Sequence, residues 1–274
     1  MSPRELTDAA DALDALRWWA VEGVDVLYTD APRDRLAERP APPARAPVAS
    51  FVTVAPIALS VPDVAARTAA EWAAQANTLD ELREAMLRFE GCGLKSTATQ
   101  LVFADGWAGA PVMIVGEAPG ADEDRIGRPF VGQAGQMLDR MLAAIGLDRT
   151  GVYIANIVPW RPPGNRTPTA QETAICLPFI RRHIALCAPR VLLTMGNLST
   201  QGLLGVKDGI TRIRGTWRAY EIEPGRTIPA LPMLHPAYLP RSPTGKRQSW
   251  LDLRALRRAL EGEGEKNAFV PDAT

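Results

Sequence analysis

The spacing of apolar positions along the chain changes near residue 100. Upstream, Leu6, Ala9, Leu13, Leu16 and Trp19 recur at helical intervals and predict a helix over 5–22. Prolines at 32, 40, 42, 43, 47 and 56 exclude a helix or central strand across Asp30–Val61 and predict a linker or a wrapped, ordered arm. A second, alanine-rich helix is predicted over 63–89, with Leu79, Leu82, Met86 and Phe89 on one face. Downstream, short apolar runs alternate with helical stretches. Val112–Val115 precedes Gly132–Ile145, Val152–Val158 precedes Ala170–Leu186, Val191–Met195 precedes Leu198–Leu204, and Ile228–Leu234 precedes Ser249–Leu260. This rhythm predicts an α/β fold: a four-stranded, mainly parallel sheet flanked by helices on both faces, behind an N-terminal helical and proline-rich extension. The segment Ile213–Ile222 alternates like an extra hairpin before the fourth strand. The expected organisation is an extension over residues 1–85, an α/β domain over 86–262 and a flexible tail over 263–274.

In open α/β sheets ligands gather at the carboxyl ends of the strands. Each predicted strand here ends in a polar or glycine-rich segment: GEAPGADED, NIVPWRPPGNR, GN and HPAYLPR. Four such ends would converge on one site. GEAPG (Gly116–Gly120) turns sharply but is neither GxGxxG nor GxxxxGK[ST]. Glu117, Asp122, Glu123 and Asp124 make four carboxylates in eight residues, which read either as a solvated acidic turn or as part of the site. No second cluster of Asp, Glu or His answers them, so no metal site is expected. Asn156 and Asn165 are either turn caps or amides that read a pyrimidine edge, since an amide offers a donor and an acceptor together. His235 ends the fourth strand at the ligand-bearing edge. The other histidine, His183, lies mid-helix and is given no role.

Charge alters the picture only through its distribution. The chain has 274 residues and a formal net charge of zero, from 31 basic and 31 acidic groups. Residues 1–110 hold 16 acidic and 10 basic groups, whereas 151–258 hold 16 basic and 5 acidic. A partner reads a local surface, so the neutral total does not exclude a polyanion. No run approaches the ~20 apolar residues of a membrane span. Three scattered cysteines exclude a disulfide scaffold, and the acidic, amphipathic N-terminus is unlike a signal peptide. A cytoplasmic, nucleoid-associated monomer with no membrane contact is expected.

Three segments, GEAPGADEDRIGRPFVGQAGQMLDRML, YIANIVPWRPPGNRTP and HPAYLPRSP, resemble in order the motifs of family 4 uracil-DNA glycosylases within the wider uracil-DNA glycosylase superfamily. The resemblance runs from about Phe89 to Leu260. It implies a DNA repair enzyme that flips uracil out of DNA and hydrolyses its N-glycosidic bond, with uracil-containing DNA as partner. It implies a uracil pocket of Gly116, Glu117, Phe130, Asn156 and His235. Phe130 would stack on the base, Asn156 would read O4 and N3–H, and His235 would hydrogen-bond O2. His235, Glu117 and Asn165 would be the catalytic set, the last two orienting water. Where the best-known branch of the superfamily has an Asp in the first motif, this chain has Ala118, so the general base stays open, and Glu123 and Asp124 are alternatively loop-shaping.

The resemblance also implies a loop that enters the minor groove, Pro236, Ala237, Tyr238, Leu239, Pro240 and Arg241, followed by Lys246 and Arg247 on phosphates. Pro240 stands where the family usually has an apolar wedge, and Arg241 is the other candidate. Family 4 members hold a [4Fe-4S] cluster on four cysteines. Here only Cys92 and Cys176 match, and the other two positions fall on Phe89 and Trp160, so no cluster and no other cofactor is expected. Cys187 is out of register. The alternatives are a non-catalytic member that binds damaged DNA and a small-molecule α/β enzyme. The basic 151–258 region argues against the latter, and retention of His235 with Asn156 and Phe130 favours an enzyme.

Overall fold

The structure, a computed structural model, describes residues 61–262. The helix expected over 5–22, the proline-rich arm up to residue 60 and the tail 263–274 lie outside the described residues. The single helix expected over 63–89 is two, α1 (Val61–Gln75) and α2 (Leu79–Arg88). Thr78 caps α2, its hydroxyl accepting from the Glu81 N–H at 3.1 Å, and Glu81 Oε2 accepts from the Asn77 N–H at 2.6 Å. The sequence T-L-D-E carries this start signal in the middle of an otherwise continuous apolar face.

Then follow β1 (Asp105–Gly106), β2 (Val112–Gly116), α3 (Ala121–Ile126), α4 (Gln133–Ala143), β3 (Val152–Asn156), α5 (Ala170–Cys187), β4 (Val191–Met195), α6 (Asn197–Leu204), α7 (Ile210–Ile213), β5 (Arg218–Glu223), β6 (Arg226–Met233) and α8 (Pro243–Leu260). The sheet has six strands in the order β1-β3-β2-β4-β6-β5. The four strands expected from the sequence are its parallel centre, and β1 and β5 are antiparallel edges. The alternating 213–222 segment supplies β5, which forms a hairpin with β6 itself; its residues Tyr220 and Ile222 are buried and their neighbours exposed. Strand β1, two residues long, carries no readable period. Helix α8 starts earlier than its apolar residues indicate, because Ser242 accepts from the Gly245 N–H at 3.0 Å and Pro243 occupies the first helical position, where its missing donor costs nothing.

Strands β2, β3 and β4 are buried at every position, as strands covered on both faces must be. Alternate side chains divide between two cores. Met113, Val115, Tyr153 and Leu192 join Ala69, Leu82, Met86, Phe89 and Phe179 from α1, α2 with its C-terminal flank, and α5. Val112, Ile114, Val152 and Leu193 join Leu138, Leu142, Leu253 and Leu256 from α4 and α8. His183 belongs to the first side. Its Nε2 lies 2.8 Å from the Tyr153 hydroxyl and its ring stacks on Phe103 with centroids 4.5 Å apart. Burial pushes its pKa down to about 3, so it serves packing as a neutral ring. Among the described residues no helix is long and apolar enough to cross a membrane.

Candidate active site

The carboxyl ends of β2, β3 and β6 open on a cavity of about 250 Å³. It is smaller than the pockets that take drug-sized ligands and suits a single small ring. Glu117, Phe130, Asn156, Asn165 and His235 line it, together with Ala118, Pro119 and Pro162. The parallel pairing of β2 and β3 continues past the strands, since the Ile157 and Val158 N–H groups donate to the Gly116 and Glu117 carbonyls at 3.0 Å. This holds the first two motifs face to face.

Asn156 is the last residue of β3. Its Oδ1 is buried and has no hydrogen-bond partner among the described residues. A buried acceptor left unpaired costs free energy, so this atom is poised for a donor from outside. Gly116 makes room for it: a Cβ there would fall 2.4 Å from Asn156 Oδ1 and 2.6 Å from the Phe130 ring. Phe130 is buried, its ring facing the His235 ring at 5.6 Å and 25°.

His235 leads the loop after β6. Its Nδ1 accepts from the Ala237 N–H at 3.2 Å. Burial lowers its pKa, and the Glu117 and Glu123 carboxylates only partly oppose this. A neutral imidazole whose Nδ1 accepts must carry its proton on Nε2, so the free nitrogen is a donor. The lowered pKa also fixes the sign of the pH effect. As the pH falls below 6.5 the unfolded chain binds protons that half-buried His235 and buried His183 resist, so stability declines toward acid.

The acidic turn is mostly not solvated. Glu123 is buried, with Oε1 accepting from the Val131 and Gly132 N–H groups at 2.9 and 2.8 Å and Oε2 from Gly120 N–H at 3.1 Å. Asp124 is buried too and accepts from the Thr99 N–H and hydroxyl, both at 2.8 Å. Both carboxylates tie loops together, and only Asp122 is exposed, beside Arg125. Glu117 Oε1 accepts from Leu198 N–H at 2.9 Å, at the amino end of α6 where negative charge is favoured. Asn165 sits at the rim, its Oδ1 accepting from Arg161 Nε at 2.7 Å. Gly164 and Asn165 are both left-handed (φ 65° and 56°), a turn that a glycine and an asparagine tolerate. Arg166 grips Glu172 with two bonds of 2.8 and 2.6 Å, anchoring this loop to α5 and holding the Glu172 pKa down at about 2.

In the loop after His235, Pro236 and Leu239 are buried, and Ala237, Tyr238, Pro240 and Arg241 form its exposed side. Tyr238 is 51% exposed, the largest apolar surface on the loop. Lys246 and Arg247 are exposed on the first turns of α8, followed by Arg254, Arg257 and Arg258.

A family model, the uracil DNA glycosylase superfamily, matches residues 103–256, more than half of the chain and all of the cavity's lining. The chain belongs to that superfamily. It is 35% identical over 189 residues to the type-4 uracil-DNA glycosylase of Sulfurisphaera tokodaii, covering 66% of this chain and 84% of that protein. The type-4 enzyme of Archaeoglobus fulgidus is 38% identical over 58% of this chain and 82% of its own length. That of Thermotoga maritima is 36% identical over 60% and 84%.

The four positions that the family 4 resemblance assigns to an iron-sulfur cluster do not fit one. Phe89 and Trp160 are buried rings, and Phe89 packs edge-on against Trp72 and Phe179 at 5.9 and 5.1 Å. Cys92 and Cys176 are buried with sulfurs 3.9 Å apart. The Cys176 thiol donates to Cys92, which lowers the Cys92 pKa against the effect of burial and raises that of Cys176. Two thiols in contact and two aromatic rings without sulfur cannot supply the four thiolates of such a cluster.

Proposed function

We propose that this protein removes uracil from DNA, hydrolysing the N-glycosidic bond to leave an abasic site for base excision repair. The observation that carries the reading is the pairing, in one small cavity, of a buried unpaired amide oxygen on Asn156 with a neutral imidazole donor on His235. Uracil offers what that pair requires. Its N3–H would donate to Asn156 Oδ1, its O4 would accept from the amide nitrogen, and its O2 would accept from His235 Nε2–H. The base must leave the stack to reach the cavity, where Phe130 would cover its face.

As the C1′–N1 bond breaks, its electron pair passes to the uracil ring and charge gathers on O2, where a donor already in place lowers the barrier. The Glu117 carboxylate stabilises the cationic sugar and, with Asn165, orients the water whose oxygen bonds to C1′. The water's proton leaves to solvent or to the departing base. A non-catalytic damage binder would need no leaving-group donor. Cleavage of a uracil-containing oligonucleotide, developed with alkali, tests the reading: strand scission at uracil supports it, and intact U·G, U·A and single-stranded substrates refute it.

The proposal includes a monomer acting on nucleoid DNA in the cytoplasm, with the exposed side of the 236–241 loop in the minor groove and Lys246 and Arg247 on phosphates. DNA affinity is then expected to fall steeply with salt despite the neutral total, at about 0.9 log units per log unit of salt for each phosphate neutralised. Titrations between low and moderate salt that give a flat line would remove the basic face from the interface. The proposal also includes activity without an iron-sulfur cluster. Purified active protein is expected to contain no stoichiometric iron or acid-labile sulfide, and a full complement of both would overturn this.

A further inference from the structure

Phe130, the ring against which a flipped base would stack, has a left-handed backbone with φ 54°. A bulky non-glycine residue holds that conformation only where its surroundings impose it. The surroundings are on both sides of it. Downstream, Glu123 takes the Val131 and Gly132 N–H groups. Upstream, the Arg149 guanidinium donates from Nη1 to the Pro129 carbonyl at 3.3 Å and from Nη2 to the Phe130 carbonyl. The same guanidinium is held in place by two carboxylates, Asp105 at 2.6 Å from the edge strand β1 and Asp139 at 2.8 Å from α4. The Phe130 carbonyl also lies so close to α4 that a Cβ on Gly135 would come within 1.6 Å of it. Arg149 does not line the cavity.

We propose that Arg149, braced by Asp105 and Asp139, is a positioning residue that fixes Phe130 for base stacking, and hence sets how tightly the enzyme holds uracil. The proposal rests on the reading of Phe130 as the stacking ring. A planar fork that reaches four acceptors at fixed angles is a property of arginine that lysine does not share. Loss of the fork frees the 129–130 backbone to relax out of the left-handed region, and the ring leaves its place beside Gly116.

The test is a double-mutant cycle of Arg149→Gln with Phe130→Ala, read by kcat/KM on a uracil oligonucleotide, by inhibition by free uracil and by affinity for an abasic-site oligonucleotide. Arg149→Gln is expected to lower kcat/KM and weaken uracil inhibition by about tenfold, the size of one base–aromatic stack. Abasic-site affinity is expected to stay within twofold, Arg149→Lys to give no rescue, and Arg149→Gln to cost nothing further once Phe130 is alanine. If the two effects multiply independently, or a folded Arg149→Gln protein binds uracil as well as its parent, the proposal fails. If Arg149→Gln does not fold, Asp139→Asn takes its place in the same cycle, with a smaller loss of uracil inhibition expected and full additivity again refuting the idea. A parent protein that leaves uracil in DNA untouched would instead refute the functional reading itself.

Discussion

Replacing His235 with alanine lowers the single-turnover rate of uracil release by about 10²- to 10³-fold, while affinity for abasic-site DNA stays near that of the parent. The expectation follows from where the charge forms. Before bond cleavage O2 is an ordinary carbonyl oxygen, and a neutral donor gains little from it. In the transition state the oxygen carries much of the departing electron pair, and an Nε2–H already held by the Ala237 N–H→Nδ1 contact needs no reorganisation to meet it. Only interactions that strengthen on the way to the transition state raise the rate of the chemical step. Rapid-quench kinetics on a saturating uracil oligonucleotide separate the outcomes. A raised KM with an unchanged chemical rate would make His235 a ground-state binder and contradict the assignment. Because burial lowers the His235 pKa, the parent rate is expected to pass through pH 6.5 without the inflection that an ordinary histidine would give.

The second large effect is one of selectivity. Asn156→Asp is expected to lower kcat/KM for uracil by about 10²-fold, the cost of replacing a charge-complementary hydrogen bond by two facing acceptors in a buried site. The amide presents an acceptor to N3–H and a donor to O4. The carboxylate presents acceptors only, and those suit the exocyclic amine of cytosine. The ratio of uracil to cytosine excision therefore falls further than the uracil rate alone. Competition between U and C in otherwise identical oligonucleotides measures it, and an unchanged ratio would show that Asn156 does not read the base edge.

The four central strands were legible because strands covered on both faces are written as uninterrupted apolar runs, and the site followed because each run ends in a polar segment at one edge of the sheet. What escaped was structure decided by single polar contacts. The break between α1 and α2 is a cap, Thr78 with Glu81, that no apolar period reports. Strand β1 has two residues and pairs through backbone alone. The carboxylates of GADED read as a solvated turn or as site residues, whereas Glu123 and Asp124 are buried clasps whose partners lie 3 to 25 residues away. Arg149 stands outside every motif, 19 residues from the carbonyl it holds. Likewise the loop after His235 divides into buried Pro236 and Leu239 and exposed Tyr238, a division set by packing against α4 and α8 rather than by its own pattern.

Uracil release by this route requires a neutral imidazole that offers its Nε2–H to the leaving base. Nitrogen-15 NMR of the two histidines, with His183→Gln to assign them, tests this directly in the protein bound to abasic-site DNA and free uracil. At pH 7 His235 is expected to carry one proton, on Nε2, with Nδ1 showing the shift of an unprotonated acceptor. A proton on Nδ1, or an imidazolium with both nitrogens protonated, would contradict the mechanism.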